Sequence, residues 1–165
     1  MKPAPSFALK VGLLCSVLGS CTSKPNVPSD AELIATFQRC RPQYEAALEA
    51  VLKRPALVKV QLSDAGRLTY EPAQPPTDRT RPIEAIFTCA RLRSIGVGPG
   101  VVGFDSHSSG LAIAGTSKGI EYSRQLPDKL LGDTDSELKA GRRQQRYAFG
   151  DRRLDGNWYI YLSAN

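Results

Sequence analysis

Gly115-Thr116-Ser117-Lys118-Gly119 matches G-x-S-x-G, a pattern in which a strained strand-to-helix turn lifts a serine hydroxyl above a sheet for nucleophilic attack. Such a serine needs a base beside it, and in that fold the histidine follows the nucleophile along the chain. The single histidine here, His107, precedes it. The residues after Gly119 read as strand, not helix, so the run is expected to be a glycine-rich turn between two strands. A Ser117–Lys118 dyad fails because neighbours on a strand point to opposite faces. Gly98-Pro99-Gly100-Val101-Val102-Gly103 satisfies G-x-G-x-x-G, but a dinucleotide fingerprint follows a strand and opens a helix, whereas here a helix precedes and a strand follows.

His107 lies in Asp105–Gly110, a segment expected to form a solvated hairpin tip. Asp133, Asp135 and Glu137 alternate in an irregular stretch, without the glycine-centred twelve-residue pattern of a calcium loop. With one histidine, a multi-histidine metal site is impossible. Lys139, Arg142, Arg143, Arg146, Arg152 and Arg153 crowd around Tyr147 and Phe149. A basic, aromatic surface of this kind holds phosphate-rich headgroups or stacks on sugars, although nearby acids offset much of its charge. It is the best candidate binding surface in the sequence. No residue is assigned a catalytic role, and the chain is expected to be no enzyme, to use no cofactor and to bind no metal.

The first twenty-one residues carry the address. Lys2 supplies a positive start, Val11–Leu18 a short apolar core, and Leu18-Gly19-Ser20-Cys21 follows. Eight apolar residues fall well short of the roughly 20 that a membrane-spanning helix needs, so the segment reads as an export signal. Leu-Gly-Ser-Cys resembles the lipobox of bacterial lipoproteins, which implies acylation of Cys21 and cleavage before it. Two or more acyl chains make a lasting anchor. In that family a residue other than Asp after the cysteine, here Thr22, implies sorting to the outer membrane, with the domain facing the periplasm.

If Cys15 leaves with the signal and Cys21 is acylated, Cys40 and Cys89 remain, in a compartment that permits their pairing. A disulfide and a pair of buried thiols both fit, since each cysteine lies near an apolar helical stripe.

The chain has 165 residues, 41% hydrophobic and 23% charged, which is room for one ordinary domain. Loss of Lys2 and Lys10 with the signal lowers the formal charge from +6 to +4. That small excess calls for no nucleic-acid partner, while favouring loose contact with anionic headgroups or acidic glycans.

Residues 1–20 thus form the signal peptide, 21–29 an acylated cysteine and polar tether, and 30–165 a single domain. Extended, residues 22–29 reach at most about 30 Å. Ser29 or Asp30 caps a helix whose apolar positions Leu33, Phe37, Cys40, Tyr44, Leu48 and Val51 share a stripe, with a kink or a break expected at Pro42. Leu57–Ser63 alternates and turns through Asp64-Ala65-Gly66 into Arg67–Tyr70, a hairpin. Four prolines within 71–82 predict an exposed connection. A second helix is expected from Arg81, with Ile83, Ile86, Phe87, Ala90 and Ile95 on one face and a stop at Gly96. The remainder is strand-like: Val101–Asp105, Leu111–Gly115, Gly119–Arg124, Gln144–Phe149 and Asn157–Ser163, with one helical turn at Ser136–Ala140. Asp155-Gly156 is the strongest hairpin signal. Helices early and strands late predict an α+β domain, two or three helices on an antiparallel sheet of about five strands.

The C-terminal half, with its Gly-Thr-Ser-Lys-Gly run and Gly156-Asn157-Trp158-Tyr159, resembles a group of small, uncharacterised lipoproteins of Gram-negative bacteria, departing from it at Thr116 and Ile120. That resemblance implies no activity. The expected role is a membrane-anchored, non-catalytic binding or envelope-support domain, its partners the lipid bilayer and an envelope protein or glycan. The alternatives are an inhibitor or immunity-type protein against an envelope-damaging enzyme, and a serine hydrolase using the GTSKG run.

Overall fold

The computed structural model of the protein describes residues 26–73, 80–111 and 114–165. The signal peptide, Cys21 and residues 74–79 of the proline-rich connection lie outside the described residues. The element order is α1 (Asp30–Leu52), β1 (Lys59–Leu62), β2 (Leu68–Glu71), α2 (Arg81–Ala90), β3 (Ser94–Gly98), β4 (Val101–Leu111), β5 (Ala114–Ser123), α3 (Thr134–Gln144), β6 (Ala148–Asp155) and β7 (Trp158–Ala164). The fold is α+β, with three helices and a seven-stranded antiparallel sheet in the order β2-β1-β3-β4-β5-β7-β6.

Ser29 starts α1 with a capping box: its hydroxyl accepts from the Glu32 amide, and the Glu32 carboxylate accepts from the Ser29 amide at 2.7 Å. Pro42 sits inside this helix, which continues through it, so of the kink or break expected there the break does not occur. Proline deletes a single backbone donor, whereas Leu33, Phe37, Cys40, Tyr44, Ala47, Leu48 and Val51 bury a stripe along the whole length. Phe37, Tyr44, Phe104 and Trp158 meet at centroid distances of 5.1–5.8 Å to form the centre of the core. The core-facing strand positions are Val60, Ile95, Val102, Phe104, Ile120, Trp158 and Ile160, each alternating with residues of the other face.

Cys40 of α1 and Cys89 of α2 form a disulfide with Cα atoms 6.0 Å apart. Closing a sequence separation of 49 residues stabilises the fold by roughly 4 kcal/mol in the loop-entropy model.

Five expectations are corrected. The second helix stops at Arg91, in the left-handed region at φ 53°, and not at Gly96; Ser94–Gly98 is a strand. Ile95 and Val97 fit both a helical and an alternating pattern, and pairing with β1 and β4 decides between them. DSHSSG is no hairpin tip, because β4 runs through it to Leu111 and His107 is buried. The GTSKG run lies within β5, paired to β4 on one side and β7 on the other. Gly119 is required by close approach, since a Cβ there would sit 2.2 Å from the Phe104 carbonyl oxygen. The sheet has seven strands where about five were expected, and α3 spans three turns instead of one.

Candidate functional site

Lys118 shares the helix-facing side of β5 with Ile120 and Tyr122, and it is completely buried. Its ammonium lies 2.8 Å from Asp30 Oδ1 and also donates to Asp135. Asp30, 3% exposed, accepts as well from the Thr134 amide at 3.0 Å, from the Thr134 hydroxyl, and from Arg152 Nη1 at 2.9 Å. The Asp30 amide donates to Asp135 at 2.9 Å. One polar knot therefore ties the first turns of α1 and α3 to β5 and β6. It separates the main core from a small apolar cluster of Leu138, Ala148, Leu162 and Ala164. Burial alone would raise the Asp30 pKa, but the Lys118, Thr134 and Arg152 hydrogen bonds outweigh it and bring it down to about 2. Oxygens of Asp30, Asp133 and Asp135 converge within 4.8 Å of one another. The Lys118 ammonium already pairs with Asp30 and Asp135, and Asp133 caps α3, so the group reads as an internal ion pair beside a helix cap.

The other face of the sheet also carries acids. Asp105, Gly119, Tyr161 and Asp151 form one row across β4, β5, β7 and β6, and Gly103, Glu121, Tyr159 and Arg153 form the next. Asp105 accepts from the hydroxyls of Ser94 and Tyr161, and Ser117 lies 3.2 Å from the Tyr161 hydroxyl. No cation pairs with Asp105, Glu121 or Asp151 among the described residues. Burial, aided by the Asp151 charge, pushes Glu121 up to about 7. Burial and the charge of Asp128 push Asp151 up to about 6. Asp105 is raised by burial, against the bond from Ser94.

A polar cleft of about 280 Å³ opens at the end of this sheet, walled by the hydroxyls of Ser108, Ser109, Thr116, Ser117 and Ser163. Tyr147 stands at its edge with its hydroxyl 2.6 Å from Ser163 Oγ and its ring stacked on Phe149, centroids 5.3 Å apart. Both rings are more than two-fifths exposed, and among the described residues no charged side chain lines the cleft. His107 reaches the Ser109 hydroxyl with Nε2 at 3.0 Å. Burial, together with the charges of Arg93 and Arg142, lowers the His107 pKa. The shift favours the neutral imidazole, and no carboxylate orients the ring among the described residues.

The residues expected to form one basic surface are distributed. Arg152 turns toward the helices and binds Asp30, while Arg153, on the opposite face of β6, donates to the Gly156 carbonyl. Arg146 makes a two-pronged pair with Glu137, which also takes Lys129. Arg142 and Arg143 are exposed on the last turn of α3. Asp133, read as a carboxylate in a loop, caps α3 by accepting from the Asp135 and Ser136 amides at 2.7 and 3.0 Å. The sequence reading missed Asp30, Lys118, Asp105 and Glu121. The available signal was parity: Lys118 falls in step with Ile120 and Tyr122, so a buried face must absorb its charge.

No family model, curated protein or solved structure matches the chain.

Proposed function

We propose that this chain is an exported lipoprotein, acylated at Cys21 on the periplasmic side of the outer membrane, whose domain binds an envelope glycan without catalysing a reaction. The observation that carries the binding half is the cleft bounded by five hydroxyls and by Tyr147, whose ring stacks on Phe149 while Lys129 covers Phe149 at 4.5 Å. Hydroxyls donate and accept at once, as sugar hydroxyls do, and the exposed Tyr147 ring offers the face turned away from Phe149 to sugar C–H groups. The Cys40–Cys89 disulfide supports an oxidising compartment, and the Leu18–Cys21 motif supports the anchor. His107 beside Ser109 lacks the orienting carboxylate of a hydrolytic triad among the described residues, which favours binding over hydrolysis. An inhibitor that plugs an enzyme's site would present exposed aromatics on a protruding loop, whereas Phe149 belongs to strand β6 and Tyr147 directly precedes it.

Intact mass of protein extracted from membranes should show two or three acyl chains on a polypeptide starting at Cys21, and Cys21→Ala should release a folded protein. Purified peptidoglycan should cosediment with the wild type and retain Tyr147→Ala at least fivefold less. Equal retention of the two proteins would overturn the cleft assignment.

A further inference from the structure

The chain just before α1 is docked on the domain. Val27 packs against the cluster of Leu138, Ala148, Leu162 and Ala164, and Asn26 and Val27 border a cleft whose far wall includes Lys139 and Arg142 of α3. Four residues, Thr22 to Pro25, separate Cys21 from Asn26. Five extended steps span at most about 18 Å, so an acylated Cys21 holds Asn26, at the edge of this cleft, within about two Debye lengths of the headgroups at physiological salt.

The charge on that side fits the neighbour. Lys139, Arg142 and Arg143 are exposed and make no ion pair among the described residues. The acids of the same helix are already taken, Asp135 by Lys118 and Glu137 by Lys129 and Arg146. Lys24 adds a further cation between Cys21 and the domain. Basic side chains next to an anchored segment are drawn to anionic lipid, and a lipid anchor combined with a basic patch holds a protein against a membrane better than either alone.

We propose that the exposed face of α3, through Lys139, Arg142 and Arg143, lies on the anionic phospholipid headgroups of the leaflet that holds Cys21, and so fixes the orientation of the domain. The inference rests on the acyl-anchor reading. Its counterpart is the far end of α1: at 23 residues the helix is about 34 Å long, which sets Lys53 about that far from the tethered end of the helix.

The test uses the full acylated protein in vesicles of phosphatidylethanolamine with 30% phosphatidylglycerol, fluorescently labelled at Ser136→Cys, one turn before Lys139, or at Lys53→Cys. Headgroup nitroxide lipid should quench the label at position 136 at least threefold more than the label at 53. The preference should collapse in pure phosphatidylcholine, in 0.5 M salt, and when Lys139, Arg142 and Arg143 are all changed to Gln. Equal quenching at both positions, or a preference that survives loss of the charges, would overturn the proposal while leaving the anchor intact. Vesicles that float without the protein would remove the anchor reading, and this surface with it.

Discussion

The two faces of the sheet bury carboxylates in opposite states. On the helix-covered face, Asp30 is almost wholly enclosed yet its pKa falls to about 2, because Lys118, Thr134 and Arg152 all donate to it. On the other face Glu121 and Asp151 are less enclosed, and theirs rise to about 7 and about 6. Burial raises all three; the partner decides the outcome. Of these three buried acids only Asp30, at the start of α1, is given a cation, and that cation comes from Lys118 of β5 and Arg152 of β6.

Removing that cation should have the largest effect. Lys118→Met leaves Asp30 and Asp135 without the ammonium they share, at an expected cost of about 3–5 kcal/mol in urea unfolding. Combining it with Asp30→Asn should cost clearly less than the sum of the two single changes, since the second removes the charge the first strands. Strict additivity would mean the knot is not coupled.

The other face should respond in the opposite direction to pH. The ordinary carboxyl values are 3.8 for Asp30 and Asp151 and 4.5 for Glu121. Asp30, with its pKa lowered, contributes stability that is present above about pH 4 and lost as pH falls toward 2. Glu121 and Asp151, with theirs raised, favour the folded state fully below about pH 4, and that contribution is lost as pH rises through 6 and 7. Unfolding free energy should therefore peak near pH 4–5 and decline toward pH 8. Glu121→Gln should flatten the decline, gaining on the order of 2 kcal/mol at pH 8 and almost nothing at pH 4. A variant that loses stability at pH 8 would show that Glu121 is ionised and paired there.

The smallest effect concerns an uncharged group. The Tyr44 hydroxyl is buried beside Phe37, Phe104 and Trp158 with no hydrogen-bond partner among the described residues, and burial pushes its pKa up. Tyr44→Phe should be neutral or stabilising by up to about 1 kcal/mol in thermal melts. A loss above that would reveal a partner for the hydroxyl, so that the covered face would satisfy its neutral groups as it does its charges.

By itself the sequence determined the local elements whose signals do not compete. The 3.6-residue stripe from Leu33 to Val51, a cap at Ser29 or Asp30 and the Asp155-Gly156 hairpin are legible because they rest on near neighbours in the chain. The α+β layering follows from the order of such elements. Tertiary structure decided whatever needed a partner distant in sequence. Ile95 could serve a helix or a strand until β1 and β4 paired with it, and DSHSSG could turn until the register carried β4 past it. Cys40 and Cys89 lie 49 residues apart, and only the packing of α1 on α2 brings them to bonding distance. Asp30 and Lys118 are farther apart still, and nothing within 88 residues of chain says that a helix cap and a strand lysine will meet. The charge states of the buried acids were beyond the sequence for the same reason: a pKa is set by what surrounds a group in space, and the fold chose those surroundings.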